Sequence, residues 1–250
     1  MLPHDDQWVR IMSDGPSTEG CIPLLLPVKS LTGAKHRLAD ALSAHDRRLL
    51  VLAMLADVVE AGLGADLEPI VVSPDEEVLD AAERAGARPL REPDGLEGLN
   101  EALTWAIERL AGASAVLILL PDTPLVTPSE LMLVCAAALP ERGGPNGEDQ
   151  RTAVSRGSVV AVPDRAGRGT NALLLKPSTA LRPYFGPNSF ARHRAAARRG
   201  GIRFVGLRLP GISLDLDTTD DMREFLQTPA VTHTRRMLIM TDQSLVRGAL

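Results

Sequence analysis

Aromatic residues are scarce in this chain: Phe, Tyr and Trp together make up 3% of its 250 residues, against 44% hydrophobic residues in all. Its core must therefore be aliphatic. Cysteine is scarcer still, with Cys21 at the start of a strand pattern and Cys135 inside a helical apolar run. Two thiols so far apart read as buried side chains in a reducing compartment, not as a disulfide or a metal site. Long apolar stretches are missing too; a run such as Ala115–Leu120 is far too short to span a bilayer, and the start of the chain is acidic where a secretory signal is basic. A cytoplasmic protein with no membrane partner is the expectation. Positive charge is not in excess: the net charge of −5 argues against a general nucleic-acid binder. The cations that exist are clustered locally, which suits a small anionic ligand better than a polyanion. Neither GxxxxGK[ST] nor GxGxxG occurs, so a P-loop NTPase and a dinucleotide-binding Rossmann domain are both disfavoured. No His or Cys nucleophile constellation is evident. The five histidines are scattered, and His36 and His193, though suggestively placed, read as incidental.

What is present is organised around residues 21–39. An apolar run from Ile22 to Val28 breaks into a loop carrying Lys29, Ser30, Thr32, Gly33, Lys35 and Arg37, and a helical pattern follows. Loop amides and a helix N-terminus, reinforced by three cations, suit a polyphosphate; a basic surface turn is the plain alternative. Ser43 is placed to cap a helix over about 44–61, ended by Gly62 and Gly64. Strand 69–73, an acidic helix start at Pro74-Asp75-Glu76-Glu77 and strand 87–90 follow. Strands alternating with helices at this spacing predict an α/β chain with a mostly parallel, doubly wound sheet, whose ligand crevice lies at the carboxyl ends of the strands.

A turn-rich loop, REPDGLEG at 91–98, leads into a helix from Leu99 to Leu110. At its start Gly98 and Asn100 suit either close backbone approach to a ligand or simple capping. Ser114–Leu120 is the strongest strand in the chain and should be buried on both faces. It runs into Pro121-Asp122-Thr123-Pro124, and a carboxylate stiffened by prolines at the tip of a central strand is where such a sheet would hold a metal ion. The competing role for Asp122 is capping of the helix that starts near Pro128. ERGGPNGEDQR, 141–151, reads as a mobile surface loop. Strands 158–163 and 171–175 flank DRAGRGT, an anion cradle or a plain hairpin tip. Gly186 to Ser189 open a helix that carries several arginines, and Ser189 with the free amides there makes a second anion site. After a strand over 204–209, Asp215 and Asp217 alternate on an extended segment and point to one face. Residues 1–20 read as a disordered acidic segment, 21–227 as one domain and 228–250 as a tail. Met237–Met240 suits either a homodimer contact or packing on its own domain.

The opening that ends LPVK, GAKHRL at 33–38, GLNEAL at 98–103, LPDTPL at 120–125, PDRAGRGTNALLL at 163–175, FGPNSFARH at 185–193 and LDLDTTDD at 214–221 together resemble one family. It is the CofC/FbiD-type guanylyltransferase family of coenzyme F420 biosynthesis, and the resemblance covers about residues 22–226. The resemblance implies a single-domain, Rossmann-like three-layer nucleotidyltransferase fold and transfer of GMP from GTP to phosphoenolpyruvate, with release of pyrophosphate. Its alternatives are the same reaction on 2-phospho-L-lactate or 3-phosphoglycerate, or, more distantly, a silent nucleotide-binding protein on this fold. It further implies Lys35 and Asp122 in catalysis and Lys29, Lys35, Arg37, Gly98 and Asn100 around GTP. Asp122, Asp215 and Asp217 would hold Mg²⁺, and Thr170, Gly186 and Ser189 would bind the phosphorylated three-carbon acid. A downstream F420 transferase is the implied protein partner.

Overall fold

The structure, a computed structural model, describes residues 21–110, 112–139 and 157–241. The expectations for residues 1–20, for 141–151 and for the end of the tail lie outside them. Seven strands form one sheet: β1 (Pro23–Pro27), β2 (Glu68–Ser73), β3 (Arg88–Arg91), β4 (Val116–Leu119), β5 (Ser158–Pro163), β6 (Thr170–Lys176) and β7 (Arg203–Gly206). Their order across the sheet is β3-β2-β1-β4-β6-β5-β7. Pairing is parallel except for β6, which runs antiparallel to both of its neighbours, β4 and β5.

The apolar runs read from the sequence are strands of this sheet; β1, β2, β4, β5 and β6 are buried on both faces almost throughout, whereas the edge strands β3 and β7 are not. Period-2 geometry splits β1, sending Leu24 and Leu26 to one face and Leu25 to the other. The first face is covered by α1 (Ala44–Gly64), α2 (Glu76–Arg84), α4 (Pro128–Ala137), α7 (Thr219–Gln227) and α8 (His233–Thr241). The second carries α3 (Leu99–Arg109) and α5 (Ser189–Arg199). The result is three layers, helix–sheet–helix, with α6 (Pro210–Ser213) as a short link between β7 and α7. Caps fix several helix starts: Ser43 accepts from Asp46 N at 3.1 Å, Asp75 from Glu77 N at 3.1 Å, and Thr127 and Thr218 each form a capping box.

Several expectations need correcting. No α-helix follows the Lys29–Arg37 loop directly; a three-residue 3₁₀ turn, His36–Leu38, does, and α1 begins only at Ala44. The phosphate argument there rests on loop cations and amides, without a helix dipole. β7 ends at Gly206, short of the strand expected to reach residue 209. Neither thiol is buried as expected: Cys21 is exposed and donates to Asp66 O at 2.9 Å, whereas Cys135 is partly buried, and burial pushes its pKa up to about 11. Residues 233–241 pack on their own domain against α1, where Asp57 accepts from His233 N at 2.6 Å and Thr234 N at 3.0 Å. Among the described residues no helix is long and apolar enough to cross a membrane.

Candidate active site

β1 and β4 lie side by side and parallel, so their carboxyl ends open together on one edge of the sheet. A cavity of about 840 Å³ occupies that edge. The loop after β1 forms one wall, with Lys29, Gly33, Lys35 and Arg37 all lining it, and Asp122, after β4, lies on the other side with Asp217. The β1 loop is anchored from below. Asp75 accepts from Leu31 N at 2.9 Å and from Ser30 Oγ at 3.2 Å. Burial works against ionisation of Asp75, but these hydrogen bonds outweigh it and hold its carboxyl below the usual range. Arg47 of α1, which sequence reasoning passed over, donates to the carbonyls of Ala34 at 3.2 Å and Leu42 at 2.8 Å, tying down the turn.

Lys35 is the centre of the site. Its backbone is left-handed, φ 48° and ψ 43°, a conformation that costs a side-chain-bearing residue about 1–2 kcal/mol. The strain turns the side chain inward, where Nζ donates to Asp122 Oδ2 at 2.8 Å and to Asp217 Oδ1 at 2.5 Å. Burial by itself would lower the Lys35 pKa; the two carboxylates more than offset it, so the pKa is raised and the ammonium stays charged. Asp122 is no helix cap, since Thr127 caps α4. Its carbonyl accepts from Leu216 N at 2.9 Å, which brings the 214–217 segment against the tip of β4. Leu214 and Leu216 turn into the core, and Asp215 and Asp217 alternate with them. Asp215 accepts from Asn171 Nδ2 at 3.3 Å. Burial, and then the neighbouring charge of Asp122, raises its pKa.

A divalent cation is suited by the remaining oxygen of Asp122, Oδ1, which is buried without a hydrogen-bond partner. Yet among the described residues no group of three or more His, Cys, Asp or Glu side chains comes together in a metal-binding arrangement. Lys35 Nζ, and not a third carboxylate, sits between Asp122 and Asp217. Asp122 with Asp217 or Asp215 are the residues that could hold such a cation, and in this structure Lys35 Nζ lies between Asp122 and Asp217.

The other sequence-selected residues are divided. Gly98, at φ 82°, is the N-cap of α3 and lines the cavity. Asn100 spends its amide on the chain after Leu181: Nδ2 donates to Phe185 O at 3.0 Å, and Oδ1 accepts from Phe185 N at 2.7 Å. Thr170 and Ser189 do not line the cavity. Both are buried, with Ser189 Oγ donating to Thr170 Oγ1 at 3.1 Å. Gly186 is exposed at φ 115°, with open space where a Cβ would be. The residue missed in this cluster is His193. It is fully buried, with Nδ1 3.1 Å from Thr170 Oγ1 and Nε2 accepting from Tyr184 N at 2.9 Å. Burial, and then Arg192, depresses its pKa to about 4, so the ring is neutral. With Nε2 accepting, the proton lies on Nδ1 and points at Thr170. The spacing Ser189, His193, Ala197 along the inner stripe of α5 was the available signal.

A mixed sheet of this order, with a buried lysine between Asp122 and Asp217 beside the carboxyl ends of its central strands, is compatible with nucleotidyl transfer. The fold agrees: a nucleotidyl transferase from Methanothermobacter thermautotroptrophicus superposes with a TM-score of 0.57 at 18% identity, covering 82% of this chain and 95% of that one. The chain belongs to the family described as Guanylyl transferase CofC like, which matches residues 22–242. A Sphaerobacter thermophilus protein called phosphoenolpyruvate guanylyltransferase is 41% identical over 205 residues, covering 80% of this chain and 90% of its own length. One of the same name from Rubrobacter xylanophilus is 42% identical over 201 residues, covering 79% and 90%.

Proposed function

We propose that this chain transfers GMP from GTP to the phosphate of phosphoenolpyruvate in coenzyme F420 biosynthesis, in the cytoplasm. An oxygen of the acceptor phosphate attacks the α-phosphorus of GTP, the bond from that phosphorus to the β-phosphate oxygen breaks, and pyrophosphate leaves. The observation that carries this reading is the Lys35 ammonium, held between Asp122 and Asp217 at the floor of a cavity in a CofC-like guanylyl transferase. The names of the relatives support phosphoenolpyruvate as the acceptor.

A phosphate monoester has its second pKa near 6, so the acceptor is already mostly dianionic near pH 7 and needs no general base. The obstacle is the meeting of two anions. Lys35 offsets it by moving from the aspartates onto the phosphates, joined by Lys29, Arg37 and the loop amides, with Gly98 and Asn100 towards the nucleoside. Asp122, with Asp215 and Asp217, would hold Mg²⁺, which would supply Lewis-acid stabilisation of charge on the phosphates. Thr170, Gly186 and Ser189 bind the acceptor, with the buried hydroxyls of Ser189 and Thr170 bonded to each other and oriented by His193. A downstream F420 transferase consumes the product.

The test is pyrophosphate release by the purified protein with GTP and Mg²⁺, run with phosphoenolpyruvate, 2-phospho-L-lactate or 3-phosphoglycerate. Release with phosphoenolpyruvate alone is expected. Release only with one of the other acids transfers the reading to that acceptor, and release with none, even when the downstream transferase is added, removes it.

A further inference from the structure

The cavity has a second end. Beyond the loop after β1 it reaches the carboxyl end of β3, where Glu92 lines it. Glu92 N donates to Ser73 O at 2.9 Å and so continues the β3–β2 ladder. In the order β3-β2-β1-β4, Glu92 and Asp122 are three strand spacings apart, roughly 14 Å at about 4.8 Å each. That separation lies along the edge on which a bound nucleotide would extend, phosphates at Asp122 and base towards Glu92. Val72, Pro74, Leu96 and Leu99 also line the cavity and offer apolar cover to the faces of a flat base.

Guanine imposes a definite chemical demand. Its pairing edge presents two adjacent donors, N1–H and the 2-amino group, whereas adenine presents an acceptor, N1, beside a carbon. Two parallel donors match the two oxygens of one carboxylate. Among the described residues three carboxylates line the cavity, Asp122, Asp217 and Glu92. The first two are engaged by Lys35. Glu92 has only the nearby charge of Lys29 in its favour against partial burial, which leaves its oxygens available.

We propose that Glu92 reads the base: its two carboxylate oxygens accept hydrogen bonds from guanine N1–H and the 2-amino group, and its charge repels the N1 lone pair of adenine. Attraction and repulsion then act together on one choice. This rests on the guanylyltransferase reading above.

The experiment is calorimetric binding of GTP, ITP and ATP, with Mg²⁺ and without acceptor, to the full chain and to Glu92→Ala and Glu92→Gln. All three ligands share the triphosphate, and ITP lacks only the 2-amino group. The unaltered chain is expected to bind GTP roughly 10-fold more tightly than ITP and roughly 100-fold more tightly than ATP, the scale of hydrogen bonds to a charged group. In Glu92→Ala the GTP-to-ITP ratio should collapse to about one. Glu92→Gln, which offers one acceptor and one donor, should narrow the gap between GTP and ATP. A Glu92→Ala protein that keeps the original GTP-to-ITP ratio overturns the assignment while leaving the guanylyltransferase reading standing. An unaltered chain that binds none of the three overturns both.

Discussion

At the scale of single residues, the site is governed by a lysine whose backbone is strained and whose charge is buried. Replacing Lys35 with Ala removes the one cation between Asp122 and Asp217, and turnover should fall by about 10²–10³-fold, the usual cost of deleting a preorganised charge stabiliser. Asp122→Ala should abolish pyrophosphate release and leave the circular dichroism spectrum unchanged; near-normal turnover would remove Asp122 from the chemistry. Ser189→Ala should raise the acceptor KM well above its effect on the GTP KM, and equal effects would free Ser189 from acceptor binding. His193 allows a different kind of prediction, because burial depresses its pKa to about 4. Between roughly pH 6.5 and 4 the unfolded chain takes up a proton on this imidazole that the folded chain refuses. Stability from this group is therefore complete above that window and is lost as pH falls through it, by about 3 kcal/mol. Urea midpoints measured at pH 7 and pH 4.5 should fall more steeply for the unaltered chain than for His193→Gln.

At the scale of elements, the sequence spoke clearly wherever one rule dominated. The run before Leu120 had no other fate than a central strand, and Ser43 and the acidic Pro74-Asp75-Glu76-Glu77 stretch mark helix starts that the structure uses. It misled where tertiary packing overrode local pattern. Residues 34–42 look helical because Leu38 and Leu42 share a spacing, but both point into the core from a tight turn that Lys35 enters in the left-handed region. Lys35, Asp122 and Asp217 were legible as charges stranded at the ends of apolar segments. The burial of Thr170 and Ser189 was not, because it depends on α5 packing on β5 and β7 so that Ser189 and His193 meet Thr170 at the start of β6, and Glu92 was hidden in a loop whose residue types announce only a turn. Another link invisible in sequence joins Asp57 to the start of α8. A carboxylate on one helix here caps another, so Asp57→Ala should cost about 1–2 kcal/mol, read as a Tm lower by several degrees, with kcat unchanged.

At the scale of the whole molecule, the nucleotidyltransferase edge and the C-terminal helix lie on different parts of the same sheet-and-helix body. The cavity is built from segments between β1 and α7, whereas α8 completes the outer face through Leu238, which is fully buried. The bond from Asp57 to His233 and Thr234 spans more than two-thirds of the chain, the first pair being 176 positions apart. Closing so long a loop is slow and entropically late, and during synthesis the N-terminal part is made first. A nascent chain can thus assemble its strands and reach the end of α7 with the apolar face of α1 still uncovered. α8, made after α7, is what covers that face: a chain cut before His233 would present exposed aliphatic surface to chaperones and proteases.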